Sequence, residues 1–294
     1  MSQGQIIKAL SGFYYIAYDG HVYQTRARGN FRNRKITPLV GDFVEFESTN
    51  LTDGYVLEIL ERKNELVRPA VANIDVGVVV TSCVEPDFSQ NLLDRFLVTL
   101  EYKSIDPVIY ITKLDLASDD EIQAMKTIRA YYEKIGYPVY FSDVEGDAGL
   151  LKHFANQLTV FMGQSGAGKS TLLNRLSPDL ELKVGEISNA LGRGKHTTRH
   201  VELLNISSGL VADTPGFSSI DFLEMTLEEL PKQFPEFVAA STNCKFRECQ
   251  HHNEPHCEVK YLVETGEISK ERYEDYLQFR NEITNRKPIY KKNK

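Results

Sequence analysis

The segment Gly163, Gln164, Ser165, Gly166, Ala167, Gly168, Lys169, Ser170 has the spacing G-x-x-x-x-G-K-S, and Thr171 follows it. These nine residues are assigned to phosphate binding. Glycine permits dihedrals that turn the amides from Gly166 to Lys169 toward one anion. Lys169 can reach the outer phosphates of a nucleotide, and Ser170 can ligate Mg²⁺. The flanking residues suit the part. "LTVFM" reads as a buried strand and "STLLNRL" as a helix whose N-terminal dipole also favours an anion.

Base recognition needs a second element. An apolar strand from Pro107 to Ile111 runs into Thr112, Lys113, Leu114 and Asp115, the form N-K-x-D with threonine in first place. The Asp115 carboxylate can accept from the N1 and N2 hydrogens of guanine, and the Lys113 stem can cover the ring. Adenine lacks that pair of donors, so such a site rejects it. A further strand, "YPVYFS", ends at Ser142, expected beside the base, with Asp143 next. Beyond the phosphate loop, "GLVADTPG" reads as a strand ending in D-x-x-G. Asp213 is expected to contact Mg²⁺ through water, and the Gly216 amide to meet the γ-phosphate. Between them lies the polar stretch "GRGKHTTRH", one of whose threonines, taken as Thr198, completes the Mg²⁺ shell.

All these motifs fall at strand ends of one alternating α/β pattern, the edge at which open parallel sheets bind ligands. Their order is unusual. The guanine elements at 112–115 and 142 precede the phosphate loop at 163, and no N-K-x-D follows Gly216. This is a circular permutation, which a sheet tolerates when its ordinary termini lie close together.

Cys244, Cys249, His251 and Cys257 are spaced C-x4-C-x-H-x5-C, a donor set for one structural Zn²⁺ with a closed tetrahedral shell. His252 and His256 compete with His251 for the imidazole position. A metal here would staple a small helical domain. Only four cysteines occur and three fall between 244 and 257, which favours a reducing cytoplasm over a disulfide framework. Cys83, beside an apolar run, is expected in the core. "MTLEELPKQFPEF" is expected to be helical from a capping box of Thr226 with Glu229, and "SKERYEDYLQFRNEITNRK" reads as a second helix.

A chain of 294 residues, 41% hydrophobic and 26% charged, suits more than one domain. Its net charge of −7 means that any affinity for nucleic acid must be local. The start lacks the pattern of a signal peptide, and no apolar run approaches the roughly 18 residues of a membrane span. Residues 1–68 read as short aromatic and β-branched strands separated by Gly, Asp and Asn turns, which suits a barrel of the oligonucleotide-binding (OB) type. Arg26, Arg28, Arg32, Arg34 and Lys35 lie between Val22 and Leu39 with no acidic residue and with Tyr23 and Phe31 nearby. That mixture suits a phosphate backbone. The expected architecture is therefore multidomain: an N-terminal OB-type RNA-binding β-barrel (1–68), a central circularly permuted α/β P-loop GTPase domain (69–222) and a C-terminal mostly helical zinc-binding domain (223–294).

With a barrel, a guanine motif ahead of "GQSGAGKS", then "DTPGF" and the cysteine cluster, the whole chain resembles the ribosome small-subunit-dependent GTPase A family. The resemblance implies hydrolysis of GTP to GDP that the small ribosomal subunit stimulates. It further implies binding to small-subunit rRNA near the decoding region and a role in late maturation, by a cytoplasmic monomer without a membrane partner. Phe217 stands where many GTPases place a water-orienting Gln. In the family the proposed replacement is the histidine of the G-K-H-T-T stretch, which makes His196 the expected catalytic residue, its neutral imidazole accepting from water. Loss of the γ-phosphate would then relax the loop at Gly216 and shift the zinc domain. Two departures stand out: Thr112 gives up the asparagine that ordinarily ties base to phosphate loop, and Asp143 alters the last guanine contact. Two other readings fit the residues. One is an RNA-binding assembly factor that uses GTP only as a switch. The other is an ATP-using P-loop enzyme in which "TKLD" is incidental.

Overall fold

The first strand, β1 (Ser2–Leu10), pairs with three others. The protein is described by a computed structural model covering residues 1–29, 31, 34, 36–178, 201–213, 222 and 224–286. β2 (Phe13–Tyr18) and β3 (His21–Ala27) follow as a meander. Both hairpin turns, Ser11-Gly12 and Asp19-Gly20, hold two successive residues at positive φ, the geometry that matches strand twist. β4 (Phe43–Ser48) and β5 (Gly54–Ile59) complete the ring, with β3 parallel to β5 and β4 returning to β1. The closed order β1-β2-β3-β5-β4 is that of an OB barrel. Alternation sends Ile6, Ile16, Val44, Phe46 and Val56 inward, each buried.

A short ladder, β6 (Glu65–Leu66) with β7 (Val71–Ala72), leads to the α/β part. Its elements run β8 (Val76–Ser82), α1 (Gln90–Tyr102), β9 (Asp106–Thr112), α2 (Asp119–Lys134), β10 (Val139–Phe141) and α3 (Val144–Leu151). After them come β11 (Leu158–Met162), α4 (Lys169–Leu176), β12 (Val201–Ile206) and β13 (Gly209–Asp213). In space the order is β10-β9-β8-β11-β13-β12, all parallel except β12. β8 and β11 are near-continuous apolar runs because helices cover both faces. The chain winds outward from β8 to β10, then returns to β8's other side with β11, so the switch point lies between β8 and β11.

β12 also pairs with β1, Lys8 opposite Glu202 and Ala9 opposite Val201, and the first pair is bridged at 3.0 Å. Barrel and α/β sheet are thus one 11-stranded sheet among the described residues. β1 opens on the polar run "SQGQ", which lacks the aromatic and β-branched residues that mark the other strands of the barrel. The three-way pairing supplies what its composition does not.

The C-terminal part holds a 3₁₀ turn at Leu230–Gln233, α5 (Pro235–Ser241), α6 (Glu258–Glu264) and α7 (Lys270–Thr284). Glu229 does accept from the Thr226 amide at 2.8 Å, yet no long helix follows. Pro231 and Pro235 lack the amide hydrogens that would continue it. Phe234, Phe237, Tyr276 and Phe279 pack here with Val98 of α1. Beside them the Arg272 guanidinium is wholly buried and donates to Asp94 of α1 and Glu236 of α5, while Tyr132 of α2 donates to Asp94 at 2.5 Å. Asp94 Oδ2 has no hydrogen-bond partner among the described residues, and burial pushes this carboxyl up to about 7 despite Arg272. Arg95 grips Glu282 through two bonds of 2.6 Å and lies over the rings of Phe222 and Phe279. α7 is therefore fixed to α1. Cys83 is buried, as expected of a core residue.

Candidate nucleotide site and metal centre

β11 ends at Met162, and the loop after it is shaped by glycine. Gly163 has φ +136°, and a Cβ there would stand 2.0 Å from the Val80 carbonyl oxygen of β8. Gly166 and Gly168 also lie at positive φ, +82° and +93°. α4 starts at Lys169 directly after this turn, with the Leu172 amide donating to the Gly168 carbonyl at 2.9 Å. Lys169 Nζ donates to the carbonyls of Gly163 and Gln164, both at 2.7 Å. Burial lowers its pKa to about 8. A partly desolvated ammonium held by neutral carbonyls gains from an arriving anion. Ala167 is buried, Gln164 and Ser170 are half-buried, and Ser165, Gly166 and Thr171 are exposed.

Thr112, the last residue of β9, is buried, and its hydroxyl donates to the Ala167 carbonyl at 2.7 Å. The base motif is therefore tied to the phosphate loop, although the asparagine that ordinarily does so is absent. A hydroxyl on a shorter side chain makes the connection. Lys113 adopts a left-handed conformation (φ +61°) and its ammonium donates to the Glu85 carbonyl. Asp115 sits exposed in a 3₁₀ turn, Leu114–Leu116. The Ser142 amide donates to Ile111 at 2.9 Å, which brings the β10 loop beside the end of β9. Asp143, the departure that follows Ser142, caps α3 with its carboxylate, which accepts from the Gly146 amide at 2.6 Å. Asp213 ends β13, the neighbour of β11, so its backbone also reaches this sheet edge. His196, Thr198 and Gly216 lie outside the described residues, as do Arg32 and Lys35.

The loop from β8 to α1 went unread in the sequence. Pro86 stands 3.6 Å from where a Cβ on Gly166 would be, and Glu85 receives Lys113. Its signal was its place, since "SCVEP" follows a buried strand of the same edge.

On the barrel, Arg26 lies 4.6 Å above the Phe13 ring and Arg28 pairs with Glu47. Arg34 is exposed. Phe31 is only 3% exposed, so it belongs to the core and offers no stacking face. Tyr23 instead clusters with Tyr18 and Phe46, at centroid distances of 6.2 and 5.2 Å.

The ligand atoms of Cys244, Cys249, His251 and Cys257 all lie within 4.8 Å of one another. His251 Nδ1 is 3.3 Å from Cys257 Sγ and 3.8 Å from Cys244 Sγ. Of the three candidate histidines this one is buried, while His252 and His256 are exposed. The Glu254 carboxylate shapes the turn by accepting from the amides of Gln250 (2.8 Å) and His252 (2.9 Å). Tyr273 holds the His251 carbonyl at 2.7 Å. Burial raises the Cys249 thiol to about 12 and pushes Cys257 up, and it lowers His251. Crowded thiols of this kind become stable thiolates only with a cation among them. The donors suit a four-coordinate metal.

Among the described residues, no helix is long and apolar enough to cross a membrane. The family model described as RsgA GTPase matches residues 59–223, and that of the RsgA N-terminal domain matches residues 3–56. A model described as 50S ribosome-binding GTPase matches residues 158–290. The chain is 69% identical to the small ribosomal subunit biogenesis GTPase RsgA of Enterococcus faecalis, covering 99% of this chain and 98% of that one. It is 55% identical to the protein of the same name from Latilactobacillus sakei, over 100% of both. Among solved structures it resembles YloQ, a circularly permuted GTPase, with TM-score 0.82, 47% identity and coverage of 99% and 97%. It also resembles YjeQ from Thermotoga maritima, with TM-score 0.82, 31% identity and coverage of 97% and 99%.

Proposed function

This chain belongs to the RsgA GTPase family, and from that premise we propose that it hydrolyses GTP to GDP and phosphate in assisting late maturation of the small ribosomal subunit. The observation that carries the site is the Thr112–Ala167 hydrogen bond, which joins the base motif to the phosphate loop at one sheet edge. Relatives named for small-subunit biogenesis support the partner.

In this reading Gly163 to Thr171 surround the phosphates, and Lys169 exchanges its carbonyl partners for phosphate oxygens. Asp115 accepts from the guanine edge, Lys113 covers the ring and Ser142 flanks it. Ser170 and Thr198 would hold Mg²⁺, with Asp213 contacting it through water, and the ion bound with GTP would neutralise charge on the phosphate oxygens. The Gly216 amide answers to the γ-phosphate and His196 orients the attacking water. The arginines of the barrel contact rRNA, and Cys244, Cys249, His251 and Cys257 hold one Zn²⁺. The protein acts as a cytoplasmic monomer.

The test is steady-state phosphate release from GTP and from ATP, each with and without purified small subunits. Turnover selective for GTP and raised by the subunit is expected. Equal use of ATP would sink the guanine assignment, and indifference to the subunit would remove it from the mechanism. His196→Ala that keeps full stimulated turnover would exclude that histidine.

A further inference from the structure

The permuted order places the base loop and the phosphate loop at the two ends of one stretch of chain: Ser142, α3, β11, Gly163. α3 is seated without slack. A Cβ on Gly146 would meet the Phe141 carbonyl oxygen at 1.9 Å, and one on Gly149 would meet the Tyr140 ring at 2.3 Å. Any shift of α3 therefore moves the β10 end and the loop at Ser142. α4 is the direct continuation of the phosphate loop. Both helices cover the same face of the sheet, sharing a core that includes Tyr110, Leu150, Leu172 and Leu173.

One polar group of contacts spans the two helices. Arg175, in the last turn of α4, places Nε 2.5 Å and Nη2 2.8 Å from the two carboxylate oxygens of Asp147 on α3. The same Nη2 is 2.6 Å from the hydroxyl of Tyr110, a wholly buried β9 residue that itself donates to Asp147. The fork geometry is that of a bidentate pair, which fixes direction as well as distance. None of these atoms is at the nucleotide edge.

We propose that Arg175 and Asp147, steadied by Tyr110, form a brace that sets the guanine loop in register with the phosphate loop, so that both are positioning residues for nucleotide selectivity. The inference rests on the guanine-site reading above. Thr112 ties the two loops at the ligand edge, and the brace ties the helices behind them. Without the brace, base and phosphates can still be bound, but no longer at one enforced separation. The base contacts then contribute less to overall affinity, whereas a ligand held through its phosphates alone is indifferent.

The experiment is calorimetric titration of the full-length protein with GDP and with ADP, together with thermal unfolding, for wild type, Arg175→Met, Asp147→Asn and the reversed pair Arg175→Asp/Asp147→Arg. Each single variant is expected to weaken GDP by about fivefold, the upper range for a part-exposed ion pair, and to leave ADP unchanged. The reversed pair is expected to regain most of the GDP-over-ADP preference. If GDP and ADP affinity fall together, or neither moves, the brace acts only on stability and the proposal is overturned. A reversed pair no better than the single variants would equally exclude the ion pair as the source. A wild-type protein without preference for GDP would instead take away the guanine-site reading itself, and the brace with it.

Discussion

The Thr112 hydroxyl and the Ala167 carbonyl, 55 positions apart in the chain, meet at 2.7 Å and join the two halves of the proposed nucleotide site. Thr112→Val keeps the shape and removes the donor, leaving a buried carbonyl with one partner fewer. GDP affinity should fall roughly tenfold, since an unmade buried hydrogen bond costs about 1–3 kcal/mol. Thr112→Asn should retain most of it. Titration calorimetry decides, and an unchanged Thr112→Val would show the bond to be idle.

Lys169 gives a pH signature. Burial holds its pKa at about 8 in the free protein, and a bound phosphate favours the ammonium form. Binding therefore takes up a proton wherever the free lysine is neutral. Affinity for GDP should be level below about pH 7 and decline above about pH 8, by at most about tenfold per pH unit. A flat profile between about pH 7 and 9.5 in wild type would contradict this.

Metal removal should unfold the C-terminal part. The donors of Cys249 and Cys257 belong to the same core as Phe237 and Val259, so releasing the ion leaves raised-pKa thiols crowded in an apolar setting. One equivalent of zinc per chain is expected by atomic absorption, with a clear fall in Tm after chelation or in Cys249→Ser. A protein that binds no metal and melts at the same temperature after chelation would refute the assignment.

The buried Arg272 should matter to stability more than to hydrolysis. Arg272→Met strands the Asp94 and Glu236 carboxylates without their cation and should cost about 3–5 kcal/mol by denaturant unfolding. Adding Asp94→Leu should restore part of the loss. Asp94 titrates in the opposite sense to a stabilising carboxylate. Its folded pKa is raised, so protonation favours the folded state, and this contribution is lost as pH climbs from about 4 to about 7. Asp94→Asn should blunt that decline. Equal pH profiles for the two proteins would count against it.

The same network bears on how the C-terminal part could respond to nucleotide. The shift of the zinc domain expected on loss of the γ-phosphate meets a buried ionic contact to α1. α1 begins just after the Glu85–Pro86 loop that touches both Lys113 and the vicinity of Gly166. Movement of one part without the other would expose Arg272.

The short motifs were legible from the sequence because their chemistry depends on neighbours along the chain. A phosphate loop needs glycines at set offsets, T-K-L-D needs a strand before it, and the cysteine cluster needs its own spacing. Helix α7 was likewise readable, with Ser269 as its cap. What tertiary structure decided was every choice between local equals. His251 was taken over His252 and His256 because its ring is the buried one facing the thiols. Phe31 went to the core although its basic neighbours suggested a surface. β1 became a strand through pairing with β2, β4 and β12, which its composition does not encode. Arg272 reached Asp94 across 178 positions. Contacts of that separation leave no periodic trace, since nothing in the chain between the partners needs to change for them to meet; only packing brings them together.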